Sequence, residues 1–137
     1  MRRPLLLLAA ASALIFAGTA LAGGWATVKL SSLPPKGLAA GEPWVVDITV
    51  LQHGVTPRDG LKPTVTIRKL TARTTNAVAK ESQTFAARPT GKTGVYRARV
   101  VFPSAGTWRF EVYDAFTEYG GAKTHTFAPV KIAKRGT

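Results

Sequence analysis

The chain has 137 residues, of which 19 are Lys or Arg and only 7 are Asp or Glu, so its formal net charge is +12. It has no cysteine, which excludes disulfide bonds, thiolate metal sites and lipid attachment to an N-terminal cysteine. The basic residues are scattered along the chain, a pattern more typical of a solvated surface than of a dedicated binding patch.

The first 22 residues have the pattern of an export signal. Arg2 and Arg3 precede an apolar run from Leu5 to Phe16, and small residues end the segment at Ala20-Leu21-Ala22. We expect cleavage before Gly23 and a periplasmic or secreted mature domain. The alternative is an uncleaved N-terminal membrane anchor, because the apolar segment is about long enough to span a bilayer.

The mature residues 23–137 remain basic, because they contain 17 Lys and Arg and 7 Asp and Glu, a formal net charge of +10. We therefore expect either an anionic surface or an unknown envelope protein as the partner, and peripheral membrane association is left open. Export separates the domain from nucleic acid and no recognised binding motif is present, so no nucleic-acid partner is expected.

Alternating apolar residues predict two strands in the first part of the domain. Residues 25–30 alternate and end before Pro34-Pro35, which predicts an edge strand. Residues 44–51 carry the clearest signal, with Trp44 and three aliphatic residues on one face and Asp47 and Thr49 on the other. This second strand should lie on the core.

Further strands follow after a polar loop that ends in the turn signal Asp59-Gly60. Residues 62–70 predict a third strand with Val65 and Ile67 inward, whereas residues 71–81 have no clear pattern. The alternating segments 95–102 and 107–113, separated by Pro103 to Gly106, predict a hairpin in which Arg99 lies opposite Glu111. A last strand over 124–132 should break near Pro129.

About seven short strands without helical periodicity predict an all-β fold, a single immunoglobulin-like Greek-key β-sandwich over residues 23–137. A small closed barrel is the alternative. The domain is expected to be monomeric. The expected core consists of these large apolar residues: Trp44, Ile48, Val50, Val65, Ile67, Tyr96, Phe102, Trp108 and Phe110.

Catalytic motifs are lacking, so the sequence predicts that the chain is not an enzyme and needs no cofactor. There is no Gly-x-Ser-x-Gly elbow, no Gly-rich phosphate loop and no His-Glu-x-x-His pair. The candidate metal ligands are His53 and His125, which could meet only if the last strand returns beside the second one. Two ligands fall short of a tight site, so copper binding should be weak.

The loop after the second strand is the candidate interaction surface, because polar side chains with hydrogen-bonding and charged groups are concentrated there. Its candidate residues are Gln52, His53, Thr56, Arg58 and Asp59.

Several short stretches together resemble the YtkA-like and FixH-like exported domains. They are Trp25 to Val28, Leu51 to Gly54 with Thr56-Pro57, Gly60 to Val65, and Gly94 to Trp108. The resemblance implies a sandwich similar to that of CopC copper-resistance proteins, and a role in copper delivery or respiratory oxidase assembly. CopC-like sites use a histidine at the mature N-terminus, where this chain has Gly23-Gly24-Trp25.

We therefore expect a non-catalytic binding or interaction module of the cell envelope, of YtkA-like type. The alternative function is weak copper binding or copper delivery.

Overall fold

The structure is a computed structural model that describes residues 24–71 and 81–136. The predicted signal peptide, residues 1–22, and the predicted mature N-terminus at Gly23 lie outside this part of the chain, as does most of the weakly patterned segment 71–81. Within the described residues, no helix has the length and apolar character that a membrane crossing requires.

The described residues form ten strands in two antiparallel sheets. In chain order the strands are β1 (Ala26–Leu30), β2 (Pro43–Gln52), β3 (Thr56–Pro57), β4 (Thr64–Leu70), β5 (Ser82–Ala86), β6 (Arg88–Pro89), β7 (Val95–Val101), β8 (Gly106–Tyr113), β9 (Thr124–Thr126) and β10 (Val130–Ile132). The first sheet has the order β1-β2-β7-β6 with β3 beside β2, and the second has the order β10-β8-β4-β5 with β9 beside β8. The predicted all-β sandwich of immunoglobulin-like type is confirmed.

Strand β2 lies at the centre of the first sheet, between β1 and β7. Its alternation is realised as expected, because the side chains of Trp44, Val46, Ile48 and Val50 are each at most 2% exposed. Residues between them point away from the core, and Asp47 on that outer face pairs with Arg97 of β7. The period of two therefore predicted the buried face of this strand correctly.

Large side chains from both sheets fill the space between them. All nine residues predicted to form the core are at most 2% exposed. Trp44 of β2 contacts Phe110 of β8 edge to face, with ring centroids 5.0 Å apart, and Phe110 stacks on Phe127 at the same distance. The contact of Trp44 with Phe110 joins the two sheets, whereas Phe127 lies beside β8, between β9 and β10 of the same sheet.

The predicted hairpin between residues 95–102 and 107–113 is wrong. Strand β7 pairs with β2 and β6, whereas β8 pairs with β4, β9 and β10, so the two strands lie in opposite sheets. The connection through Pro103 crosses from one sheet to the other. Phe102 and Trp108 still contact, with ring centroids 5.7 Å apart, but Phe102 lies in the connection after β7 and Trp108 in β8 of the second sheet.

The charge pairs that the hairpin implied are replaced by pairs between other strands. Glu111 Oε1 accepts hydrogen bonds from Nε and Nη2 of Arg68 in β4, at 3.1 and 3.0 Å, and not from Arg99. Alternation tells which face of a strand is buried but not which strand lies beside it, because strands that face each other across a core alternate in the same way as neighbours in one sheet.

The last strand is broken as predicted. Strands β9 and β10 lie one after the other along the same edge of β8, and the interruption spans residues 127–129, which include Pro129. Proline lacks the N–H that a continuous ladder would need. Both pieces lie beside β8 and not beside β2, so the arrangement required for His53 and His125 to meet is not the one observed.

We predict that Trp108→Ala lowers the free energy of unfolding by about 3–5 kcal/mol, because it empties a fully buried site between the sheets. It also leaves the Ser104 carbonyl without the indole Nε1 donor, which lies 2.9 Å away. Urea denaturation of the purified chain measures the change. Leu33→Ala, at a side chain that is 61% exposed, should change stability by less than about 0.5 kcal/mol. Equal losses in the two variants would contradict the assignment of Trp108 to the core.

Candidate functional site

Two loops at one end of the sandwich are held together by a single arginine. The first loop follows β2 and contains Arg58, and the second follows β8 and spans residues 114–123. Arg58 donates from Nη1 to Gln52 Oε1 at 2.7 Å and from Nη2 to Glu118 Oε2 at 2.6 Å. We call residues 52–59 and 114–121, together with Trp25, the loop end.

The guanidinium of Arg58 also lies over an aromatic ring. Its Cζ is 5.5 Å from the ring centroid of Phe116, a side chain that is fully buried. The Arg58 side chain is 29% exposed and that of Glu118 is 49% exposed, so the ion pair is partly solvated and its contribution to stability is below about 1 kcal/mol. Its main effect is geometric, because it fixes the position of one loop relative to the other.

The backbone of the loop end is unusual. His53, Ala115 and Tyr119 have φ angles of 53°, 56° and 59°, and they are the three non-glycine residues with positive φ within the described part of the chain. Side chains disfavour this left-handed region, so such residues persist where surrounding contacts impose the conformation. Their concentration at one end of the molecule makes this end the first candidate for a functional surface.

A buried carboxylate imposes the conformation of the second loop. Asp114 is 0% exposed, and its Oδ1 accepts hydrogen bonds from the N–H groups of Phe116 at 2.9 Å and Lys123 at 3.1 Å. Its Oδ2 lies 2.8 Å from Nε2 of His125 in β9. A buried carboxyl is costly unless it is hydrogen bonded, so these three partners explain why Asp114 is tolerated there and why the chain turns sharply at Ala115.

The first loop is anchored by a buried tyrosine of β7. The hydroxyl of Tyr96 donates to the Arg58 carbonyl at 2.6 Å and accepts from the Leu61 N–H at 3.1 Å. Burial raises the pKa of Tyr96 above its ordinary value of 10.0, so the phenol remains a hydrogen-bond donor even in moderately alkaline solution. Beside it, Asp59 Oδ1 accepts from the Gly94 N–H at 2.7 Å.

Gly94 cannot readily be replaced at this contact. Its φ is 74°, and a Cβ atom there would lie 2.6 Å from Cβ of Pro57 in β3. Only glycine allows the two backbones to approach so closely. The turn before β7 and the first loop are therefore fitted to each other.

The predicted interaction residues have different roles in the structure. Arg58 joins the loops, Gln52 supports it, and Asp59 fastens the first loop to Gly94. The ring of His53 packs on Trp25, with centroids 5.1 Å apart and planes inclined at 47°. Thr56 is exposed and lies opposite Gln52 in the β2–β3 pairing.

Four residues of the second loop were not predicted from the sequence: Asp114, Phe116, Glu118 and Tyr119. Tyr119 is 73% exposed and belongs to a short 3-10 helix, Glu118–Gly120. An acidic residue directly after the strongly alternating strand 106–113 was the available signal for Asp114. Its partner His125 lies 11 residues away, so spacing alone does not reveal the contact.

The two candidate metal ligands have separate contacts. His125 uses Nε2 for Asp114, whereas His53 packs on Trp25. Among the described residues there is no group of three or more His, Cys, Asp or Glu side chains placed to hold one ion. A metal on His125 Nε2 would have to displace the contact with the buried carboxylate.

We predict that Tyr96→Phe lowers the free energy of unfolding by about 1–3 kcal/mol, because it leaves the Arg58 carbonyl and the Leu61 N–H without their partner. Tyr113→Phe is the matched control, since no hydrogen bond of its hydroxyl is found among the described residues. Urea denaturation of both variants decides the point. Equal stabilities for the two variants would show that the tyrosine does not anchor the loop.

For copper, we predict that the chain binds Cu(II) no more tightly than about micromolar and Zn(II) more weakly, because a tight site needs three or four converging ligands. Calorimetric titration at neutral pH measures both affinities. A stoichiometric nanomolar site that disappears when His53 and His125 are both replaced by Ala would contradict this expectation.

Comparisons with known proteins find similar chains among the solved structures. No protein-family model and no curated protein matches the chain. A superoxide reductase (neelaredoxin) from Ignicoccus hospitalis has a TM-score of 0.40 and 15% sequence identity, and the similarity covers 88% of this chain and 87% of that one.

This comparison corrects one prediction. The sequence predicted that the chain is not an enzyme, whereas this superoxide reductase is an enzyme, so the prediction is not retained. At this identity and TM-score, the similarity assigns no reaction, substrate or cofactor to the present chain.

Proposed function

We propose that the chain is an exported binding or interaction module of the cell envelope, similar to the YtkA-like and FixH-like exported domains, and that its contact surface is the loop end. The signal-like residues 1–22 support export, and the short stretches that resemble the YtkA-like and FixH-like domains support the family resemblance. The partner is an envelope protein that docks on the two loops, and the domain acts as a monomer in the periplasm or outside the cell.

The observation that carries this proposal is the rigid presentation of exposed apolar side chains. Val55 is 75% exposed on the first loop and Tyr119 is 73% exposed on the second, and Arg58 ties these loops together. Single exposed apolar residues are ordinary on protein surfaces. Here they are on strained segments held by Asp114 and Tyr96, and such preorganised loops lose little conformational entropy when a partner binds.

Arg58 supplies the polar part of the same surface. Arginine is one of the residue types enriched among those that contribute most to binding at protein interfaces. Its neighbour Glu118 is half exposed, so a partner that carries a carboxylate could compete with Glu118 for the guanidinium.

The test is affinity capture from an envelope extract with the tagged chain and matched variants. We expect at least one protein to be captured by the wild type and lost with the double variant Val55→Ser and Tyr119→Ser. Leu33→Ser is the control, because Leu33 is 61% exposed but lies outside the loop end. Capture that is unaffected by the double variant, or abolished equally by the control, would refute the loop end as the contact surface.

A further inference from the structure

A second surface of the molecule is a cleft rich in arginine. It lies where the chain leaves the second sheet at β5 and joins the first sheet at β6, and its volume is about 770 Å³. The residues that line the cleft include Val45, Phe85, Arg88, Pro89, Arg97 and Arg99. None of the loop-end residues lines this cleft, which has the size of a typical ligand site.

The positive charge of the cleft is only partly neutralised. Arg97 donates from Nε and Nη2 to the two carboxylate oxygens of Asp47, at 2.7 and 3.2 Å, and this arginine lowers the pKa of that carboxyl. Arg88 and Arg99 have no side-chain hydrogen bond or ion pair within residues 24–71 and 81–136. The three arginines of the cleft and Asp47 together carry a formal charge of about +2, which is available to an anionic ligand.

The pairing of the strands makes this arrangement unfavourable for the free protein. Arg88 of β6 lies directly opposite Arg97 of β7, so their side chains leave the same face of the sheet. Like charges in directly opposed positions destabilise a sheet. An anionic ligand would reduce this repulsion.

The spacing within the cleft fits an extended chain. Arg88 of β6 lies opposite Arg97 of β7, so Arg88 and Arg99 are diagonal neighbours in adjacent strands, about 7–8 Å apart. Val45, which is 50% exposed, lies opposite Arg99 in the neighbouring strand, and Phe85 and Pro89 add apolar lining. Acidic side chains at alternate positions of an extended peptide repeat about every 7 Å, close to the separation of Arg88 and Arg99.

We propose that this cleft binds an extended acidic segment of another protein, with carboxylates on Arg88 and Arg99 and apolar contacts to Val45 and Phe85. Arginine forks bind carboxylates with two hydrogen bonds, so both unpaired guanidiniums can be satisfied. Because the surface is a cleft, it suits an extended peptide better than a lipid bilayer. A bilayer is flat and binds to a flat or convex basic surface.

The test uses a short fluorescein-labelled peptide that alternates Glu and Val, with fluorescence anisotropy as the readout. We expect binding that weakens with added salt. Arg88→Gln and Arg99→Gln should each weaken it about tenfold, since each removes a charge-assisted contact. Arg109→Gln, the same change on β8 of the other sheet, should leave the affinity unchanged, and a peptide that alternates Lys and Val should not bind.

Thermal unfolding separates loss of binding from loss of the fold. Arg88→Gln relieves the repulsion with Arg97, so its Tm should equal or exceed that of the wild type. The proposal is overturned if Arg109→Gln weakens the peptide as much as the cleft variants, which would indicate a response to net charge only. It is also overturned if phosphatidylglycerol vesicles or inorganic phosphate bind through Arg88 and Arg99 while the peptide does not.

Discussion

The fold depends on the packing of aromatic side chains between two sheets. The chain has no cysteine, so no disulfide joins the sheets. Packing contacts such as those of Trp44 with Phe110 and of Phe102 with Trp108 hold them together instead. Each such side chain contributes roughly 1.5–3 kcal/mol when it is fully buried. The rest of the molecule, including the loops, is positioned by this layer. Phe116 extends the same layer to the end of the sandwich, where Arg58 lies over its ring.

The loop end shows how a hydrophobic core can position polar groups. Asp114 follows β8 directly, so the last residues of that strand carry its carboxyl into a site without solvent, where Phe116, Lys123 and His125 satisfy it. Tyr96 has the same role for the first loop, because its ring lies in the core and its hydroxyl holds the Arg58 carbonyl. Both loops therefore depend on polar atoms attached to buried residues. A surface built in this way keeps its shape without a partner.

Much of the fold followed from the alternation of apolar residues. The buried faces of β2, β4, β7 and β8 were each identified from residues such as Ile48, Ile67 and Val100, because a half-buried strand must alternate. The partner of β8 was not identified, since β7 and β8 face each other across the core with the same alternation. The contacts of the candidate site were harder to predict from the sequence. Arg58 was a candidate, but its partner Glu118 is 60 residues away, and only the closed sandwich brings them together.

The edges of the sheets have a consequence for the behaviour of the protein at high concentration. Among the described residues, the outermost strands are short or interrupted, with Pro57 in β3, Pro89 in β6 and Pro129 between β9 and β10. Lys29 places a charge on the edge strand β1. Unpaired strand edges are templates for aggregation, and proline, charge and brevity each weaken that pairing. Among the described residues this leaves β5, a five-residue edge strand with neither proline nor charge, as the edge at which separate molecules would pair most readily.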